Sequence, residues 1–348
     1  PAMPDATEYT IASIDASGGK DGFDDGEAFR PTLNSYMYGN AMAIAKIAAM
    51  AGDRAGSEKY LQRALSLKTN VEQNLWNGPL KHFTDRFKVN NQFVHYWDFI
   101  RGRELAGMVP WYFNLPADNA TFGDAWKHVL DTNNLLGQYG LRTNEPSYEY
   151  YFKQFVYFEG KRGSQWNGPS WPYQTSQALT AMANLLNNYH QHAGTNTGYL
   201  KLLRLYTRQH FLPDGKINLV ENYDPNNGGP IVYYYWSNHY NHSSYNNLII
   251  TGLCGIRPSD GDSLTINPLI DDTIDYFCLQ DVWYHGHRLT VVYDRDGRQY
   301  NIGKGLTVFI DGKKGELINN RVSIGQAIVN PGAPRPHNAA LNIDKKDY

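Results

Sequence analysis

An α-helical toroid followed by a small antiparallel β-sandwich is the fold class that this 348-residue sequence predicts, and three observations predict it. Apolar residues recur at helical spacing through the first three-quarters of the chain. Long loops rich in Gly, Asn, Pro and aromatic residues separate those segments. After about residue 258 the pattern changes to two-residue alternation around Asp-Gly turns. The length suffices for one large domain and one small one.

Each element carries its own signal. Leu33, Met37, Ala41, Ile44 and Ala48 fall on one helical stripe. Leu61, Leu65, Leu67, Val71 and Leu75 form a second, less regular one. Weaker helical patterns lie near 102–114, 123–136, 172–189, 196–211 and 243–254, about seven helical segments in all. The intervening loops, 15–31, 76–100, 137–171 and 212–242, are long for a packed domain, and long loops of that kind usually carry function. "SLTINPL", "YFCLQDVWYHGHRLTVVYDRDGRQY" and "LTVFIDGKKGEL" then read as strands, with turns at Asp296-Gly297 and Asp311-Gly312. Trp283, Tyr284 and Leu289 are expected in the core or at an interface of that region. The expected division is a helical domain over 1–257 and a β-sandwich with an extended tail over 258–348.

Composition narrows the function classes. The formal net charge of −2 gives no electrostatic reason to expect nucleic acid or an anionic membrane as partner. No run of about 18 apolar residues is present, so no transmembrane helix is expected. The two cysteines, Cys254 and Cys278, lack metal-site spacing; a disulfide and two buried thiols are both open. The unusual feature is aromatic: 26 Tyr, 14 Phe and 8 Trp, many of them in loops where a core role is not the obvious one. Asn119-Ala-Thr121 and Asn241-His-Ser243 are glycosylation sequons, which point to a secreted, cell-surface or periplasmic protein, although such triplets arise often by chance.

The stretch "ENYDPNNGG" at 221–229 places Glu221 before an Asx-Pro turn and ahead of "PIVYYYWSNHYNH". Turn chemistry explains the Asp, Pro, Asn and Gly residues but not a carboxylate among so many rings and amides. A sugar would use that mixture, with rings for its apolar faces and amides for its hydroxyls. A second acidic cluster, Asp21, Asp24, Asp25 and Glu27, crowds the Gly-rich loop before the first long helix, where a solvated acidic loop is the plainer explanation. In "QWNGPSWPYQTS", Trp166 and Trp171 flank an Asn-Gly-Pro turn, and core packing and a stacking platform are both open. "YWDFIRGREL" holds Asp98, Arg101, Arg103 and Glu104, charges better suited to tying loop to helix by buried ion pairs. His239 and His242 lie in "SNHYNHSSYNN" without the neighbours of a metal site.

In this order, "GFDDGEAFRPTLNSYMYGNAMAIA", "WNGPSWPYQ", "ENYDPNNGG" and "YWSNHYNHSSYNNLIITGL" resemble the clan of inverting (α/α)6-barrel glycosidases that includes trehalases, processing α-glucosidase I and mannosylglycerate hydrolases. The segments look closest to a mannosylglycerate-hydrolase-like domain, over roughly residues 20–255. The β tail is similar to the C-terminal sandwich often attached to such domains. The resemblance implies that Gly22-Phe23-Asp24 carries the general acid, Asp24, and that Glu221 is the general base. Asp25-Gly26-Glu27 replaces the family's usual Ser-rich sequence after the acid. "YWDF" mimics another acid motif and keeps Asp98 as a reserve acid.

The resemblance and the residues together imply an exo-acting inverting glycosidase on an oligo- or polysaccharide. Its two carboxyls would stand about 6.5–9.5 Å apart to admit a water. Trp166, Trp171 and Trp236 would stack on sugar, while Asn167, Gln174, Asn238 and His239 would contact hydroxyls. No cofactor is required and no metal site is expected, with a structural Ca²⁺ on loop carboxylates the single exception considered. A non-catalytic carbohydrate-binding or surface-assembly protein, and a polysaccharide lyase, are the alternatives. Helix count adds one expectation about partners. The segments seen are fewer than a six-hairpin barrel takes, and Asp24 lies close to Pro1, so a second polypeptide fragment of the same precursor is expected to complete the barrel.

Overall fold

The computed structural model describes residues 6–23, 27–190, 193–232, 237–240 and 242–325. By internal contacts the chain forms two units, Pro1–Ser244 and Tyr245–Tyr348. The division falls before the change of sequence pattern near residue 258.

The first unit opens with a helix that the sequence pattern did not signal, α1 (Ile11–Ala16). A reciprocal cap between Thr10 and Ser13 starts it, and Ile11, Ala12, Ile14 and Ala16 are all buried. Next come α2 (Pro31–Met50) and α3 (Arg54–Asn74), a helical hairpin turned through Ala51-Gly52-Asp53. Asp53 caps α3 by accepting the Gly56 amide at 2.8 Å. The 102–114 segment is helical as expected, as a 3₁₀ turn (Leu105–Met108) running into α4 (Val109–Tyr112). Region 123–136 reduces to short helices, α5 (Ala120–Gly123) and α6 (Trp126–Val129). The second long hairpin is α7 (Pro172–Asn188) with α8 (Asn196–Gln209). Leu179, Ala181, Met182 and Leu185 of α7 are almost fully buried, which makes α7 a central helix of this unit. Asn119 caps α5 through its side chain, whereas the other sequon, Asn241, lies outside the described residues.

The stripe predicted for α2 points elsewhere. Met37 and Ile44 are exposed, as are Met42, Ile47 and Met50, the last at 77%. The buried line is Thr32, Ser35, Tyr38, Ala41 and Ala45. Apart from Tyr38 these residues are small, because α2 lies close to its neighbours there. At Gly39 a Cβ would stand 2.2 Å from the Phe113 ring, so any side chain would force the two apart. The α3 stripe is nearer the mark, with Val71 and Leu75 buried but Leu65 exposed.

The second unit begins within the short helix α9 (Ser244–Asn247), which runs into a π-helical turn, Leu248–Leu253. It then builds two antiparallel sheets. Strands Tyr276–Tyr284, His287–Asp294, Gly305–Ile310 and Lys313–Lys314 pair in sequence order. Strand Ser263–Ile266 lies between Ile256–Arg257 and Arg321–Ser323. Ile256, Leu264, Ile266, Leu289, Val291, Val308 and Val322, drawn from both sheets, share one core, so this is a sandwich. Leu289 is fully buried, Tyr284 packs on the core edge, and Trp283 is 40% exposed beneath the Arg288 guanidinium. Asp311-Gly312 makes the two-residue hairpin that the sequence signals, both residues having positive φ. His285-Gly286 makes another. Asp296-Gly297 sits instead in a longer loop, whose Gly297 and Tyr300 amides donate to the Asp294 carboxylate. Cys254 and Cys278 are free thiols, and burial pushes Cys254 up to about 12. No helix among the described residues is long and apolar enough to cross a membrane.

Two buried histidines give the fold a pH dependence. His82 is completely buried and its Nε2 donates to the Glu104 carbonyl at 2.8 Å. Burial lowers its pKa from 6.5 to about 3, and burial lowers His210 to about 4. The unfolded chain therefore takes up these protons before the folded one does. Stability is unaffected by them above pH 6.5 and falls as the pH drops from there toward 3–4. Thermal melts should show Tm declining steadily from pH 6.5 to 4, with a shallower decline for His82→Gln. A wild-type Tm that stays flat over this range would contradict the account.

Candidate active site

Glu221 stands on a loop that is locked from several sides. The buried ring of Tyr223 turns back so that its hydroxyl donates to the Asn218 carbonyl and accepts the Val220 amide. Tyr223 and Ser170 exchange backbone hydrogen bonds at 2.8 and 2.9 Å. On the other side His242 Nε2 donates to the Val220 carbonyl at 3.0 Å, and its Nδ1 then accepts from His210 Nε2 at 2.9 Å. Val220 also bridges Asn238 in antiparallel fashion. A carboxylate on such a backbone has little freedom to move.

Glu221 itself is 8% exposed. Ser164 Oγ donates to its Oε2, and the Tyr240 hydroxyl is a second hydrogen-bond partner. Burial raises its pKa; donation from Ser164 opposes this, the negative charge of Glu8 adds to it, and Tyr240 opposes it again. Ser164 lines a cavity of about 400 Å³ together with Glu8, Tyr9, Phe23, Val156, Phe158 and Gly163. Tyr9 in that wall has φ +58°, a left-handed conformation costly for a bulky residue, and its amide donates to the Gly22 carbonyl at 2.5 Å. The wall is thus tied by one backbone hydrogen bond to the loop at Gly22.

The predicted site residues separate into three groups. Asp24 and Trp236 lie outside the described residues, although Phe23, which precedes Asp24, lines the cavity beside Ser164. Asp98 is exposed and lines a different cavity, of about 530 Å³, with Asp15, His95 and Arg101. Trp166 and Trp171 are buried and stack on one another at 3.9 Å, so each covers a ring face of the other. Trp171 Nε1 donates to the Gln165 carbonyl, and the Trp166 amide holds the Glu8 carbonyl at 3.1 Å. Asn167 spends its side chain on the Tyr150 and Lys153 carbonyls and on Gln165. Gln174 is buried beside a void of about 10 Å³, room for one water. Asn238 and His239 are exposed next to Tyr240, His239 with φ +57°.

Ser164, Tyr240 and Glu8 were not singled out by the sequence. Each is an ordinary residue in its own segment and gains meaning only from what it meets across the fold. Among the described residues no group of three or more His, Cys, Asp or Glu is placed to hold a metal ion. Asp24 and Asp25 are not among the described residues.

By class, the first unit is a glycoside hydrolase family domain. Residues 2–243 match the mannosylglycerate hydrolase MGH1-like glycoside hydrolase domain, and the chain belongs to that family. Residues 256–317 match the C-terminal domain of glycosyl hydrolase family 65. A solved structure described as a sialidase is 37% identical, with a TM-score of 0.77 over 85% of this chain, which spans 26% of that one. A mannosylglycerate hydrolase from Thermus thermophilus in complex with glucose is 12% identical, with a TM-score of 0.48, 66% of this chain and 49% of that chain being covered. For a neutral trehalase from Saccharomyces cerevisiae the values are 14%, 0.42, 65% and 38%. The chain thus spans about a quarter to a half of these proteins.

Proposed function

We propose that this chain carries the catalytic carboxylates of an inverting exo-glycosidase acting on an oligo- or polysaccharide, with Asp24 as general acid and Glu221 as general base. The observation that carries the reading is a buried, rigidly held Glu221 joined through Ser164 to a cavity that Phe23 also lines. Glu221 would take a proton from water while Asp24 protonates the departing oxygen on the opposite face of the ring. Ser164 and Tyr240 orient the base. Glu8, on the cavity wall, keeps Glu221 basic by its charge. Phe23, exposed at the cavity with Tyr9 edge-on beside it, offers the sugar an aromatic surface in place of the buried tryptophan pair. Action outside the cytoplasm belongs to the same proposal and rests on the two sequons.

The test is a panel of α- and β-linked aryl glycosides, with ¹H NMR of the first product formed. The expected product carries the anomeric configuration opposite to that of its substrate. A product of retained configuration would overturn the inverting mechanism, and an unsaturated uronide would replace hydrolysis by elimination.

A further inference from the structure

A separate cavity of about 600 Å³ opens at the C-terminal end of α8, between the turns at 138–139, 211–213 and 227–228. Two aromatic rings stand at its rim, Tyr139 at 42% and Phe211 at 51% exposure. Tyr139 is fixed there: its amide donates to the Pro225 carbonyl at 2.9 Å, and its ring packs on Gly228. Gly228 has φ +78°, and a Cβ on it would come within 2.9 Å of that ring. Gly228 is therefore held to glycine both by its left-handed conformation in the turn and by the Tyr139 ring against it.

The polar lining is one-sided. Arg208 and Gln138 have no side-chain partner among the described residues, and no Asp or Glu lines the cavity. Gln209, 4% exposed, donates Nε2 to Ser170 Oγ at 2.9 Å but leaves its Oε1 without a hydrogen-bond partner. Such a buried acceptor costs free energy until a donor reaches it. Arg208 also lies in the last turn of α8, where a cation is favoured by the helix dipole. That accounts for the charge, but not for two exposed rings and an unsatisfied amide around one concavity.

We propose that this cavity is a second carbohydrate site, which takes a sugar residue bearing a carboxylate. Tyr139 and Phe211 would cover its apolar faces, Arg208 would pair with the carboxylate through its planar fork, and Gln138 and Gln209 would meet its hydroxyls. No catalytic role for Glu221 enters this assignment.

Saturation-transfer NMR titrations of the whole chain with D-glucuronate, D-glucose and glucose 6-sulfate provide the test. Glucuronate should bind at least tenfold more tightly than glucose, and Arg208→Ala should remove that preference with the circular dichroism spectrum unchanged. Tyr139→Ala should weaken all binding at this site. Equal affinity for glucuronate in wild type and Arg208→Ala, or no binding of glucuronate, would overturn the proposal. Tighter binding of the sulfate would overturn the carboxylate assignment. A chain that hydrolyses no glycoside yet binds glucuronate through Arg208 would refute the glycosidase reading alone. The opposite pair of results would refute this site alone.

Discussion

Glu221→Gln is expected to lower kcat by about 10²–10⁴-fold, the usual contribution of a general base, while the variant still binds substrate. Gln preserves the shape and can still accept from Ser164, so the loss would report on proton transfer rather than on folding. The pH profile sharpens the test. Burial raises the Glu221 pKa, and the base must be ionised, so kcat/KM should rise with pH through a pKa above the ordinary carboxylate value. That limb should vanish in the variant. Stability should respond in the opposite sense. A raised pKa means the folded state binds the proton more tightly than the unfolded one. The stability this contributes is present below the unfolded pKa and is lost as pH rises through the folded one. At neutral pH the buried charge is therefore a liability, and the Gln variant should melt at or above the wild-type temperature. Activity within tenfold of wild type would sink the assignment.

The legible parts of this molecule were those written in local pattern. Helical period located α2, α3, α7 and α8, and alternation with Asp-Gly turns located the sandwich. Both signals arise because an element must bury one face, whatever it packs against. What period could not say was which face α2 buries. Its contacts run through Thr32, Ser35, Ala41 and Ala45, where close approach favours small residues over the larger Met37 and Ile44. The same limit holds at the site. Glu221 was conspicuous because turn chemistry left a carboxylate unexplained. Ser164 is 57 positions away from it and Tyr240 belongs to a stretch crowded with tyrosines, so neither announces its partner. Trp166 and Trp171 show the converse: a loop of tryptophans around Gly-Pro reads as a platform until their faces turn out to be occupied by each other.

Arg30→Ala should be the most damaging single change to the first unit, at about 3–5 kcal/mol or more, the range for removing one partner of a buried ion pair. Arg30 occupies the N-cap position of α2 and is 1% exposed. Its Nε lies 3.2 Å from Asp85 Oδ2 and its Nη2 lies 3.3 Å from Glu104 Oε2, both carboxylates being buried. Nη1 donates to Thr7 Oγ1 at 2.8 Å, next to Glu8 on the cavity wall. Glu104 in turn accepts the Ile11 amide at 2.7 Å, so the same cluster anchors the start of α1. One guanidinium therefore joins the origins of two helices to the 84–104 segment, and its loss would leave two buried carboxylates without this cation. For a unit of this size the expected drop in Tm is about 6–20 °C. Arg30→Lys should recover only part of it, because an ammonium cannot present donors to Asp85, Glu104 and Thr7 in a planar fork. If Arg30→Ala melts within about 2 °C of wild type, Asp85 and Glu104 are not held by Arg30 and the segment that carries Glu8 must be positioned by something else.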